Sequence, residues 1–340
     1  MLALDLGGTR IRAAVIRPDG SRLARTDGDT PKEEGPAAVV RACREMLAAS
    51  REHAPEETAA ALAGIGISSP GPVDPATGVI VEPPNLGPAF RDIPIAAEMS
   101  DAFGLPAYLD RDTNVAALGE RAFGAAKGID DFIYLTVSTG VGGGVVTGGK
   151  LLRGADGLAG ELGHVPVALD GPRCGCGGVG HVEAFASGTA LARDAKALVA
   201  AGRSPYLLQR AGAIGGADRL SAREVAEGSL AGDPECVSLM ATARRALAVA
   251  CVGYVNAFNP RRIVVGGSIA ESEGERLLEP IRHAIATEVF KVTARAVTIV
   301  PAELGGDVSL AGAHPLVLSR LASKGRPEHA PITTSSIAAG

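Results

Sequence analysis

At 340 residues the chain exceeds what one hydrophobic core usually serves, so two domains are expected. Its 33 basic and 38 acidic side chains leave a net charge of −5 with no basic block, which excludes a surface built to neutralise nucleic-acid phosphates. Aromatic residues make up only 3% and tryptophan is absent, so cores must be built from Ala, Val, Leu and Ile.

Leu2 to Leu6 and Ile11 to Ile16 are short apolar runs joined by Gly7-Gly8-Thr9, the pattern of a hairpin turned by glycine. Asp5 ends the first run beside amides that the glycines leave unshielded. Phosphate oxygens or a magnesium shell suit that place, and an ordinary tight hairpin carries the same letters. Gly35 to Ser50 has helical spacing and includes Cys43 as a packed thiol. Ala63 to Ser68 reads as a buried strand running into Ser69-Pro70-Gly71-Pro72, and the loop beyond carries Asn85. That amide can serve a hydroxylated ligand or simply make a turn. Pro106 to Asp110 is the next strand and Thr113 to Phe123 the next helix. Arg111 and Asp112 fall between them, at a strand's carboxyl end, where open α/β sheets bind ligands. Asp112 reads equally as a helix N-cap.

Phe132 to Val137 is a strand, followed by a Gly-rich turn from Ser138 to Gly144 and a strand from Val145 to Thr147. This repeats the layout of the first hairpin, so each half of the chain is expected to open on a phosphate-facing turn. Gly154 to Glu183 then gathers Glu161, Glu183, His164, His181, Cys174 and Cys176 into one Gly-rich stretch. Thiolates and imidazoles are the usual donors of a four-ligand zinc site, and nearby acids suit a polyol. The Cys-x-Cys spacing is tighter than the common zinc-finger spacing, so a Gly-rich loop with incidental Cys and His remains open.

Ala184 to Ala201 reads as one helix, Ser221 to Glu224 fits a capping box, and Pro234 to Phe258 is a long helix ended by Asn259-Pro260. Ile263 to Val265 is a strand entering Gly266-Gly267, where a flat base or ribose can approach closely. Val297 to Val300 is the last strand, and Asp307 to Leu321 a terminal helix containing Pro315. Ser323 to Gly340 is polar and expected to be disordered.

The cysteines are Cys43, Cys174, Cys176, Cys236 and Cys251; an odd number with one close pair suits a reducing compartment. MLALDLGG lacks the basic and apolar regions of a signal peptide, and the most apolar helical run, Ala246 to Phe258, is short of a membrane span. A cytoplasmic protein with no membrane partner is expected.

Taken in order, Asp5-to-Thr9, Ser138-to-Gly144, Ala159-to-His164 and Cys174-to-Glu183 resemble the ROK family of sugar kinases and sugar-responsive repressors, most closely its bacterial glucokinase branch. The resemblance covers about Leu2 to Ala311. It implies an actin-like, RNase-H-like ATPase fold with two α/β domains around a cleft. The first domain would hold residues 1–112 plus about 305–322, and the second 113–304. It implies ATP-dependent phosphorylation of a hexose, glucose at its 6-hydroxyl, with Asp112 as general base. By the same resemblance Asp5, Gly7, Gly8, Thr9, Thr139, Gly140, Gly142, Gly266 and Gly267 bind nucleotide with Mg²⁺. Asn85, Arg111, Glu161, His164 and Glu183 match the sugar-binding positions, and a homo-oligomer is implied. In the family the histidine at His164 binds a structural zinc with three cysteines; here Cys174 and Cys176 are kept and His181 stands where the third cysteine is usual. Arg111 also departs, occupying a position where asparagine usually contacts sugar. Other hexoses (N-acetylmannosamine, N-acetylglucosamine, mannose, fructose), polyphosphate as donor, or a non-catalytic sugar sensor are the alternatives. Repressor members carry an added N-terminal DNA-binding domain, for which the early hairpin leaves no expectation here.

Overall fold

A computed structural model of the chain describes residues 1–83 and 86–323; Asn85 and the expected tail from 324 onward lie outside the described residues. The chain divides into two compact units. The first comprises Met1–Lys127, Leu152–Ala159 and the chain from Asp307, and the second comprises Gly128–Leu151 and Gly160–Gly306.

In the first unit, β1 (Leu2–Leu6), β2 (Arg10–Ile16) and β3 (Arg22–Asp29) form an antiparallel meander. Helices α1 (Pro36–Glu52) and α2 (Glu56–Ala60) lead to β4 (Ile65–Ser69), which pairs parallel with β1. A small ribbon of β5 (Val73–Asp74) and β6 (Val79–Ile80) precedes α3 (Ile95–Phe103). Next come β7 (Ala107–Arg111), parallel to β4, and α4 (Asp112–Phe123). The sheet order is β3-β2-β1-β4-β7.

Strand β1 is buried on both faces, which is why it reads as an apolar run interrupted only by Asp5 rather than as an alternating one. Leu2, Leu4 and Leu6 join the cluster containing Val39 and Leu47 of α1 and Met99 of α3. Ala3 meets Ala14, Ile16, Leu310 and Ala313 on the other face. The last two lie on the final helix, Val308–Ser323, which returns to this unit and packs on β1, β4 and α4. The helix pair comes so close that a Cβ at Gly312 would stand 1.8 Å from the Val115 carbonyl oxygen, so only glycine fits there.

The second unit repeats the plan. β8 (Phe132–Val137) and β9 (Val141–Thr147) form an antiparallel hairpin extended by β10 (Lys150–Leu151). A helical stretch follows, with α5 (Glu183–Ala186), α6 (Gly188–Ala200), α7 (Pro205–Ile214), α8 (Ala222–Leu230) and α9 (Pro234–Phe258). Then β11 (Arg262–Gly266), α10 (Ser268–Glu273), α11 (Glu275–Glu288), α12 (Lys291–Ala294) and β12 (Thr298–Pro301) complete the unit. The order β10-β9-β8-β11-β12 places parallel strands beside the hairpin, as in the first sheet.

Helix α9 begins on Asp233, whose carboxylate accepts from the Glu235 and Cys236 amides, and ends on Asn259 in the left-handed conformation. It is the one helix among the described residues long and apolar enough to cross a membrane, yet it packs against α5, α8 and α11 as a core helix. The expected capping box at Ser221 and Glu224 is formed.

Three expectations need correction. The helix read over Ala184 to Ala201 is two: Ser187 is extended, and its hydroxyl accepts from the Ala190 amide to start α6 afresh. The second Gly-rich turn spans only Ser138 to Gly140, because Gly142, Gly143 and Gly144 lie in β9 opposite Thr136, Leu135 and Tyr134. Helix α4 packs with the first unit, whereas the sequence reading put it in the second, because the returning helix covers it.

His314, buried on the returning helix and edge-on to Phe123 at 6.0 Å, is held below its ordinary value of 6.5 by burial, with the N-terminal ammonium adding to the effect. A base depressed on folding leaves the unfolded chain as the better proton acceptor. Stability contributed here is therefore present above pH ~6.5 and lost as pH falls toward the folded value. Thermal melts between pH 5 and 8 are expected to show a fall in Tm below about 6.5 that His314→Gln reduces.

Candidate active site

In the first unit the β1–β2 turn presents Asp5. Its register partners across the sheet are Ser68 on β4 and Arg12 on β2. Asp5 Oδ1 accepts from Ser68 Oγ at 2.9 Å, and Oδ2 accepts from Arg12 Nε at 2.9 Å and Nη2 at 2.5 Å. The turn closes through the Gly7 amide donating to the Arg10 carbonyl at 2.8 Å and the Thr30 hydroxyl donating to the Gly7 carbonyl at 2.7 Å. Among the described residues the Gly8 and Thr9 amides meet no acceptor, so two N–H groups remain for an anion.

The β7–α4 junction carries the other acid. Arg111 occupies the N-cap, so Asp112 is the first residue inside the helix, half-buried, with Oδ1 accepting from the Thr113 amide at 2.7 Å. Sequence reasoning passed over the residue that organises this corner, Asp110. It is fully buried and accepts from the Arg111 amide (2.9 Å), Asn114 Nδ2 (2.8 Å), and Arg153 Nη2 (2.9 Å) and Nε (3.2 Å). Arg111, only 3% exposed, donates from Nη2 to the Ala159 carbonyl at 2.5 Å. Two arginines thus pin the segment Leu152–Ala159 to the end of β7. The available signal was an acid at the penultimate position of a buried strand, which needs a partner.

In the second unit the Ser138–Gly140 turn mirrors the first. Its carbonyls are taken by the start of α6: Gly188 N donates to Ser138 O at 2.8 Å and Thr189 N to Thr139 O at 3.1 Å. The Thr139 and Gly140 amides meet no acceptor among the described residues. Gly142, expected in this turn, is instead a strand residue, and Gly143 is small because a Cβ there would stand 2.4 Å from Leu162. Gly266 ends β11, and Gly267, at φ 93°, leaves no room for a Cβ beside Thr136 and Val137. Ser268 next to it bonds Ser138 at 2.9 Å, joining the two Gly-containing turns of this unit.

Glu161 precedes and His164 ends the short 3₁₀ turn Leu162–His164, which is propped by the Tyr254 hydroxyl donating to the Leu162 carbonyl at 2.5 Å. His164, Cys174, Cys176 and His181 present donors that all lie within 4.8 Å of one another. Cys174 Sγ is 3.6 Å from His164 Nδ1, and Cys176 Sγ is 3.3 Å from His181 Nδ1. A tetrahedral zinc with bonds of ~2.3 Å to sulfur and ~2.0 Å to nitrogen spaces such donors ~3.5 Å apart, so the set fits. Gly178 makes the packing possible, since a Cβ there would meet the His181 ring at 2.2 Å. Burial pushes the Cys174 thiol up to about 11, so a metal must displace its proton to bind. Glu183, at the start of α5, is shared: Oε1 lies 3.5 Å from Cys174 Sγ and Oε2 accepts from the Val141 amide at 3.0 Å.

Removing one partner of a buried ion pair strands the other, typically at a cost of about 3–5 kcal/mol. Arg153→Met should therefore lower the denaturant-derived stability by roughly that amount, because Asp110 has no solvent to fall back on.

Comparison with known proteins places these features in a family. The model of the ROK family matches residues 1–320. The chain is 33% identical to a glucokinase of Thermotoga maritima, over 94% of this chain and 98% of that protein. A ROK hexokinase structure from Thermus thermophilus superposes with a TM-score of 0.77 at 37% identity, covering 95% of this chain and 99% of that one. A ROK family glucokinase from Streptomyces griseus, solved with glucose and AMPPNP, gives 0.77 at 33% identity, covering 94% and 99%. The two-sheet plan is the actin-like ATPase fold of these kinases, and the chain belongs to the ROK family.

Proposed function

We propose that the chain is an ATP-dependent hexose kinase that transfers the terminal phosphoryl group to the 6-hydroxyl of glucose. The observation that carries this reading is Asp112, a half-buried acid at the carboxyl end of β7, in a family member that keeps both open-amide turns. Asp112 would orient the sugar hydroxyl and accept its proton as the bond to phosphorus forms. The Gly8–Thr9 and Thr139–Gly140 amides would hold phosphate oxygens, with Gly7 shaping the first turn and Gly266 and Gly267 admitting the nucleoside. Transfer of a phosphoryl group needs alignment and charge stabilisation more than covalent help. Asp5, whose Oδ1 accepts from Ser68 alone among the described residues, would hold Mg²⁺, and the ion would neutralise charge on the phosphates.

Glu161 and His164 are the proposed sugar contacts. His164 directs Nδ1 at Cys174 and Nε2 toward Glu161 at 3.9 Å, so it can serve a metal on one side and a hydroxyl on the other. Glu183, with each oxygen already engaged, would act partly by anchoring the loop. Asn85 is proposed from its sequence position alone. Arg111 faces the Ala159 carbonyl rather than acting as the usual asparagine, which favours a second reading for the acceptor: a hexose other than glucose. His164, Cys174, Cys176 and His181 would hold zinc as a Cys₂His₂ site, with all four positions filled by protein and therefore a structural role.

A coupled assay of ADP release with Mg²⁺–ATP and a hexose panel tests the reading. Sugar-dependent turnover is expected, highest with glucose, and Asp112→Asn should lower kcat by ~10²–10⁴-fold. Turnover that survives in the variant would remove Asp112 as the base, and a better rate with another hexose would favour the second reading. Metal analysis should find one zinc per chain, lost from Cys174→Ser together with thermal stability.

A further inference from the structure

We infer that Arg12 is a positioning residue for the proposed phosphoryl transfer: it fixes the Asp5 carboxylate through which metal-bound nucleotide is held. The inference rests on the reading of Asp5 given above. A carboxylate offers about four acceptor positions. In Asp5 three are filled, two on Oδ2 by Arg12 Nε and Nη2 and one on Oδ1 by Ser68 Oγ. What remains is on Oδ1, so the carboxylate can turn only one way toward a ligand. Ser68 is fully buried and Asp5 nearly so, which leaves no water to substitute for these bonds.

Arg12 is itself held. Asp307, on the short turn Gly305–Asp307 that leads into the returning helix, lies 3.9 Å from Arg12 Nη1. Arg25 Nη1 donates to the same Asp307 oxygen at 2.6 Å, Arg22 pairs with the other oxygen, and Arg25 also grips Asp27 at 2.7 Å. Arg25 of β3, Asp307 of the turn and Arg12 of β2 thus form an alternating row of charges that ends on Asp5. The inner members are partly sheltered, Arg12 at 26% and Asp307 at 18% exposed, while Arg22 (41%) and Arg25 (39%) at the outer end are solvated. A charge row of this kind does not touch the reacting atoms; it orients a group that does, as outer ligands do in metal sites.

The test is calorimetric titration of the full chain with AMPPNP, once in EDTA and once in excess Mg²⁺, so that the ratio of the two affinities measures the metal-dependent part of binding. Wild type should bind more tightly with Mg²⁺, and Asp5→Asn should abolish that gain. Arg12→Gln should cut the gain by about tenfold or more while leaving metal-free binding unchanged, the range in which outer-ligand changes fall. Arg12→Lys, with one ammonium to replace a two-nitrogen grip, should be intermediate. Asp307→Asn also frees Arg22 and Arg25 but touches Asp5 only by way of Arg12, so its effect on the ratio should be smaller and in the same direction. A merely structural role would weaken both forms of binding alike, and that result, or no change, with the Asp5→Asn effect intact, overturns the inference alone. If Asp5→Asn itself keeps the full gain, the reading of Asp5 fails instead. Should Arg12→Gln not fold, Arg12→Lys and Asp307→Asn decide the matter by the same ratio.

Discussion

Burial of the central strand on both faces is the constraint from which the first unit follows. Once α1 and α3 cover one side of β1 and the returning helix covers the other, any polar group on that strand must find its partners inside the sheet. Asp5 does so through the strands on either side, Ser68 from β4 and Arg12 from β2. Asp110 meets the same demand two strands away with Arg153 and Asn114. Acids that water would otherwise leave mobile are thereby held in one orientation, at the strand ends where a ligand can reach the neighbouring amides.

The second unit solves a different problem. Its acids and donors sit on largely irregular chain from Glu161 to Glu183, where no ladder of hydrogen bonds fixes them. Order comes from short local devices: the Tyr254 prop under the 3₁₀ turn, isolated bridges pairing Pro166 with His181 and Arg173 with Val179, and the contacts of Cys174 with His164 and of Cys176 with His181. Glu183 ties this loop to the hairpin, since one of its oxygens sits by a thiol and the other on the first amide of β9.

Regular structure was readable wherever local chemistry decides it. The first hairpin, α9 with its Asp233 and Asn259 caps, the Ser221 box and most parallel strands follow from periodicity, capping and breakers. The errors arose where tertiary contact overrides local signal. Glycines 142 to 144 look like turn, yet they pair as strand with Thr136, Leu135 and Tyr134, and Leu162 packs on the bare backbone of Gly143. Ser187 sits inside a helical pattern, yet it breaks the helix to cap the next one. In the site, the motif residues were legible because their types are unusual for their positions. Asp110, Arg153 and Asp307 were not, because an acid and an arginine far apart in sequence carry no mark of their pairing.

The returning helix also bears on the order in which the protein can form. Residues of the first sheet leave a ribosome early, but Ala3, Ala14 and Ile16 lack their covering until Leu310 and Ala313 have been made. Gly312 against Val115 is likewise a contact with no local substitute. The second unit, drawn mostly from the middle of the chain, has its own sheet and helices complete before that helix is synthesised. Synthesis therefore runs N-terminal to C-terminal while completion runs the other way, leaving the earlier-made sheet open on one face until Leu310 and Ala313 have followed the whole second unit.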